Sequence, residues 1–184
     1  MNRQEALEIL KSYVKDEKII KHCLATEALM RELAKRLNQD EEKWALAGLL
    51  HDLDWDITRD NPQEHSLLAE KILSEKGLDP EIVSAIKIHN YIHGIEPQTL
   101  LEKALYSTEM ITGFIVAVAL VKPSKKLKDV TVQNLLEKFK EKSFAAGAKR
   151  EIISLAPQYL GLSLEEIFSI ALSAMQKISD ELGL

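Results

Sequence analysis

Ala47-Gly48-Leu49-Leu50-His51-Asp52-Leu53-Asp54 is the stretch that decides how this chain folds. Residues at i, i+3, i+4 and i+7 share one face of a helix, which puts Trp44, Ala47, Gly48 and His51 in one stripe. The stripe is apolar until it reaches an imidazole with a carboxylate beside it. Ala47 and Gly48 are small enough to let a second backbone approach closely. Asp40 is a candidate N-cap for this helix, which is predicted to run to about Leu53. The acid-rich loop Asp54-Trp-Asp-Ile-Thr-Arg-Asp-Asn-Pro62 follows.

Outward from that segment the periodicity stays helical, and no alternating strand pattern of useful length occurs. Upstream, helices are predicted near Arg3–Val14 behind Asn2 and near Glu17–Leu37. Downstream, Pro62 is placed to open a helix that closes at Gly77, and Asp79-Pro80 opens another to about Tyr91. Gly94 and Pro97 mark a loop before a long helix from about Thr99 to Val121, which Pro123 stops. Shorter helices are expected around 132–142 and 149–156. The capping-box sequence Ser163-Leu-Glu-Glu166 opens a last helix ending near Gly183. The expectation is an all-α bundle of about eight or nine helices, with residues 1–184 forming one domain and helices 130–184 packing on the same core.

The 184 residues are 46% hydrophobic and 29% charged, with 7 Gly and 5 Pro, a globular balance rather than a disordered one. The lone Cys23 excludes a disulfide within the chain and a thiolate-rich structural zinc site. Beginning Met-Asn-Arg-Gln-Glu-Ala, the sequence shows no secretory stretch. Its longest strongly apolar run, Phe114 to Val121, is far short of the ~20 residues that cross a bilayer. A cytoplasmic location and no membrane partner are therefore expected. Net charge is −5. Residues 121–150 hold nine Lys/Arg and three acids, a local +6, which leaves −11 for the remainder. Lys122, Lys125 and Lys126 are candidates for holding substrate phosphate, although solvated lysines on helix faces are commoner. The overall balance does not suit a nucleic-acid polymer.

Three more apolar stripes are interrupted by titratable groups. They are Ile19, His22, Thr26, Leu29, Leu33, Leu37; then Ile82, Ala85, Ile86, His89; then Leu105, Glu109, Thr112, Val116. Burying one ionised carboxylate costs several kcal/mol unless it is paired or bound to metal. Imidazole nitrogens and carboxylate oxygens converging in a core suit a divalent ion with positions left open for water and substrate. His93, four residues after His89, would share its face if the helix continued, but Gly94 argues that it ends. Cys23 reads as a small packing residue. For Asp54 two readings stay open, a partner orienting a histidine or a water, and a loop carboxylate capping a turn.

The His51-Asp52 doublet, with His22 upstream on a helix, resembles the signature of the HD superfamily. His65 in Glu-His-Ser-Leu-Leu-Ala, His89 in Ile-Lys-Ile-His-Asn, and Glu109 in Lys103-Ala-Leu-Tyr-Ser-Thr-Glu-Met-Ile-Thr-Gly113 follow in the order of that family's further histidines and closing acid. The resemblance covers about residues 20–115. It implies a helical bundle in which His22, His51, Asp52 and the closing acid hold one metal, with Asp52 bridging to a second held by His65 and His89. It also implies one or two divalent ions (Fe, Mn, Zn, Ni or Co, with Mg an option) and hydrolysis of a nucleotide or other small phosphate ester by metal-activated water. Asp52 or Asp54 would receive the proton. The alternative is a non-catalytic module that senses a nucleotide or metal. The family has Asp at the closing position, and Glu109 is one methylene longer. The stretches Leu120-Val-Lys-Pro-Ser-Lys-Lys126 and Lys142-Ser-Phe-Ala-Ala-Gly147 look like a subgroup of small bacterial and archaeal HD proteins. The expected partner is a small phosphorylated substrate, with a homodimer left open.

Overall fold

Short polar side chains at the helix starts determine where this chain becomes helical. A computed structural model describes all residues 1–184. Asn2 and Glu5 form a capping box that opens α1 (Arg3–Tyr13), and Asp16 accepts from the Lys18 amide to open α2 (Glu17–Arg36). Asp40 caps α3 (Glu41–Leu50) through the Lys43 amide, and a one-turn α4 (Trp55–Thr58) follows the His51-Asp52 doublet. Next come α5 (Leu67–Glu75) and α6 (Pro80–His89), the latter opened by Asp79 with Pro80 in its first turn. A Thr99–Glu102 capping box starts the long α7 (Leu100–Leu120). The remainder is α8 (Val132–Lys140), one-turn α9 (Arg150–Ile153) and α10 (Ala156–Leu160), α11 (Leu164–Lys177) behind Ser163–Glu166, and α12 (Ser179–Leu182). The fold is all-α, and eight of the twelve segments span nine residues or more.

Helix α3 ends at Leu50 rather than about Leu53, with His51 as its C-cap, and the last expected helix breaks at Ile178 into α11 and α12. Three further boundaries differ. The helix expected from Pro62 starts only at Leu67, after Ser66 adopts a left-handed backbone conformation with φ 72°. Its first amides are satisfied from a distance, by Asp54 Oδ2 accepting from Ser66 and Ala69. Second, the 149–156 region makes two single turns rather than one helix. Third, α6 stops at His89 because Asn90 caps a 3-10 turn over Tyr91–His93, so His93 leaves the face of His89.

Helix α7 is central, packing against α6, α2, α9 and α10. It is long and apolar enough to cross a membrane by composition, yet 61% of that stretch is buried inside the bundle. One continuous apolar cluster runs from Ala6 on α1 to Leu182 on α12. Within it Phe114 meets Phe139, Phe144 and Phe168, and the Arg150 guanidinium lies 4.8 Å from the Phe114 ring centre. Arg150 also donates to the carbonyls of Phe144, Ala145 and Ala148, fixing the loop before α9.

The crossing of α2 and α3 sets up the site. A Cβ on Gly48 would lie 2.7 Å from the Thr26 carbonyl oxygen, so only glycine permits this approach. The close backbones bring His22, one turn before Thr26, against His51, one turn after Gly48.

Candidate metal centre

Asp52 sits at the middle of the site, buried, with each carboxylate oxygen facing a different pair of imidazoles. Its Oδ2 lies 3.6 Å from His22 Nε2 and 3.5 Å from His51 Nε2. Its Oδ1 lies 3.3 Å from His65 Nε2 and 3.5 Å from His89 Nε2. Two tight donor sets result, His22–His51–Asp52 and Asp52–His65–His89, sharing one carboxylate. Glu109 joins from α7, with Oε2 3.4 Å from His22 Nε2, but stands outside both three-membered sets.

All four imidazoles are held by Nδ1. His51 Nδ1 donates to the Gly48 carbonyl at 2.8 Å, and His89 Nδ1 to that of Ile86 at 2.6 Å, each one turn back on its own helix. His65 Nδ1 donates to Asp54 Oδ1 at 2.9 Å. Thr112 gives its hydroxyl proton to the Glu109 carbonyl at 2.8 Å and so accepts from His22 Nδ1 at 3.0 Å. This network leaves every Nε2 lone pair directed at Asp52, the arrangement by which outer partners fix a metal ligand's tautomer. His22 Nε2 and His51 Nε2 are 3.0 Å apart, a contact that favours a cation between them. Neither Asp52 nor Glu109 is paired with lysine or arginine, and the ionic partners of both are histidines. Buried carboxylates with convergent imidazoles fit a divalent ion, and the mixed nitrogen and oxygen donors suit first-row transition ions.

Protons compete with metal for these lone pairs. Burial lowers His51 to about 4, helped by His22 and His89, which leaves it neutral. Burial opposes protonation of His65 too, but bonds to Asp52 and Asp54 outweigh it and raise His65 to about 10. His22 is raised because Glu109 and Asp52 outweigh its burial. Burial also acts on Asp52, yet the surrounding histidines hold it well below the usual carboxylate range. Burial pushes the Cys23 thiol well above its ordinary value, in keeping with a packing residue.

The site opens into a cavity of about 390 Å³ lined by His22, Asp52, His65, His89 and Glu109, together with Trp55, Arg59, Tyr91 and Met110. Asp54 does not reach it. That carboxylate is fully buried, with Oδ1 bonded to His65 and Oδ2 to two amides, so it positions His65 and caps α5 but cannot receive a proton from substrate water. Lys122, Lys125 and Lys126 do not line the cavity either. Lys122 lies thirteen residues along the chain from Glu109, about 20 Å at the helical rise, and its ammonium is bonded to Asn134. The cation at the cavity is Arg59, a residue that the sequence reading passed over inside an apparent loop. His93 donates from Nε2 to the His65 carbonyl at 2.8 Å, and Asn90 donates to the carbonyls of Pro62 and His65. Both clamp the turn carrying His65 and neither joins the donor sets.

A family profile described as HD domain matches residues 19–112, just over half of the chain. The chain belongs to the HD-domain family. Similar curated proteins are named Ribonuclease Y. Those of Nitratidesulfovibrio vulgaris and Lawsonia intracellularis are 28% and 25% identical over 97 residues, and that of Oleidesulfovibrio alaskensis is 24% identical over the same length. The matched segment is 53% of this chain but 18% of theirs, so the HD-domain chain spans only a small part of those relatives. No solved structure matches it significantly. HD domains are in general metal-dependent phosphohydrolases, and the two donor sets of this one can hold divalent metal. Glu109 occupies the closing acidic position, and its extra methylene does not prevent its carboxylate from approaching His22.

Proposed function

We propose that this HD domain is a metal-dependent phosphohydrolase acting on a nucleotide or a similarly small phosphate ester in the cytoplasm. The supporting observation is the shared Asp52, whose oxygens face two separate histidine pairs at the cavity. His22, His51 and Asp52 would hold one divalent ion, with Glu109 beside them, and Asp52, His65 and His89 a second. Bound there, such ions supply Lewis acidity and make water a nucleophile near neutral pH.

The chain's own residues divide the remaining work. Glu109 places a carboxylate at the cavity wall where a proton could be delivered, whereas Asp52, kept ionised by the histidines, joins the two pairs. Arg59 is solvent-exposed and only loosely paired, 3.9 Å from the exposed Asp60, so its guanidinium is free to meet a phosphate. Trp55, which stands edge-on to His65 with ring centres 5.2 Å apart, and Tyr91 offer aromatic surface for a base. Ile19, Ile92 and Met110 exclude water from part of the wall. A volume of about 390 Å³ is in the range of small-ligand pockets.

One feature supports a second reading, a module that binds a nucleotide or metal without turnover. Glu109 approaches His22 but stands outside the three-membered set, so the first ion would lack a closing carboxylate. A single experiment separates the two. Phosphate release is followed for mononucleotides, dinucleoside polyphosphates, cyclic dinucleotides, an aryl phosphate and a short RNA, with Mn, Fe, Co, Ni or Mg, for wild type and His51→Ala alongside metal content. Turnover of a nucleotide, lost by several orders of magnitude together with metal in His51→Ala, supports the enzyme. Metal binding with no turnover supports the sensing module. Cleavage of RNA alone would move the substrate to a polymer, as the name of the relatives suggests for them.

A further inference from the structure

His22 and Thr112 have a second side. Away from Asp52, a cavity of about 320 Å³ lies in the crevice between α2 and α7, with Leu182 and Leu184 also in its lining. Its walls include Ala25, Gly113, Val116 and Leu120. A Cβ on Gly113 would meet nothing within 4 Å, so the cavity reaches the α7 backbone. Leu120 is 49% exposed and forms part of the rim.

Two cations border this cavity, Lys18 and Lys21, one turn apart on α2. Neither ammonium has a carboxylate or carbonyl partner, and Lys18 is exposed at the rim. Lys21 is half-buried, with its ammonium folded toward Gly183. An open apolar crevice bordered by two unpaired ammonium groups is complementary to an amphiphilic anion, with the tail among Ala25, Val116, Leu120 and Leu182 and the head at Lys18 and Lys21.

We propose that this cavity binds an aliphatic carboxylate, and that the bound ligand is coupled to the metal centre. The wall between the two cavities carries His22, and the Thr112 hydroxyl behind it holds His22 Nδ1 at 3.0 Å. A ligand packed against Thr112 bears on the bond that orients His22 Nε2 toward Asp52. Coupling of this kind is reciprocal, so metal changes carboxylate affinity by the factor with which carboxylate changes metal affinity.

The test is calorimetric titration of decanoate into the full chain, metal-free and loaded with Mn. Acetate and inorganic phosphate serve as controls for the head group alone. Gly113→Leu fills the chamber on a helix that gains propensity from the change, and Lys18→Gln/Lys21→Gln removes the head-group site. Saturable one-to-one decanoate binding, weakened about tenfold or more in each variant and absent for acetate and phosphate, supports the site. Mn should shift the decanoate affinity at least about threefold, and equal affinities would overturn the coupling. Absence of decanoate binding, or binding unchanged in both variants, would overturn the site. So would two other occupants: anionic vesicles bound where decanoate is not, or a dimer by sedimentation that Gly113→Leu dissociates.

Discussion

Asp54 Oδ1 accepts from His65 Nδ1 at 2.9 Å, and the other oxygen of the same carboxylate holds the amides of Ser66 and Ala69. One buried side chain therefore aims a metal-ligating imidazole and starts the helix that follows it. Asp54→Asn keeps the size but offers an NH₂ group where acceptors are needed. Affinity at the His65–His89 set should fall about 10- to 100-fold, while the His22–His51 set keeps its ion. Metal stoichiometry by elemental analysis before and after dialysis measures this; equal loss from both sets would show that Asp54 acts on the fold as a whole.

In metal-stripped protein, pH stability should peak near the ordinary histidine value of 6.5. His65, raised to about 10, lends stability that is complete below 6.5 and fades as pH climbs toward 10. His51, lowered to about 4, resists protonation in the folded state, so stability also falls between 6.5 and 4. Urea midpoints at pH 5, 6.5 and 9.5 test both arms, and a flat alkaline arm would contradict the bonding of His65 to Asp52 and Asp54.

Gly48→Ala should destabilise the chain by about 1–3 kcal/mol by overpacking the α2–α3 crossing. The new methyl meets the Thr26 carbonyl at 2.7 Å, and backbone cannot yield as a side chain would. Because the same crossing sets the His22–His51 spacing, metal retention should fall as well. Denaturant unfolding with and without added Mn reads both effects.

Arg59→Gln should raise KM for a phosphorylated substrate about tenfold, the cost of one charge-assisted contact. Replacing Lys122, Lys125 and Lys126 together by Gln should leave kcat/KM within about twofold, since none of them lines the cavity. Steady-state kinetics on the three proteins decides between the two sources of positive charge.

Much of this centre is legible in the sequence because His22, His51, His89 and Glu109 sit at regular positions on helices, where apolar stripes expose any polar intruder. Gly48 is legible for the same reason. His65 is different. It lies in a turn whose geometry depends on Ser66 at φ 72° and on the Asp54 carboxylate eleven residues upstream, a contact that no local pattern encodes. Pro62 misplaces the start of α5 because the prolyl signal is local and the Asp54 cap is not. Arg59 is hidden in a stretch that reads as loop but includes the one-turn α4, and the lysine run after α7 suggests binding only until its distance from Glu109 is known. The role of Asp54 turns on which atoms are already occupied, which is visible only in three dimensions.

The two donor sets differ in how much chain must be in place before they exist. His22, His51 and Asp52 come together as soon as the consecutive helices α2 and α3 cross, whereas His65 and His89 reach Asp52 only when α6 and the turn before α5 have docked. An ion at the first set could therefore grip a half-formed chain, and an ion at the second would latch a nearly finished one: filling the centre would record the order in which its segments arrive.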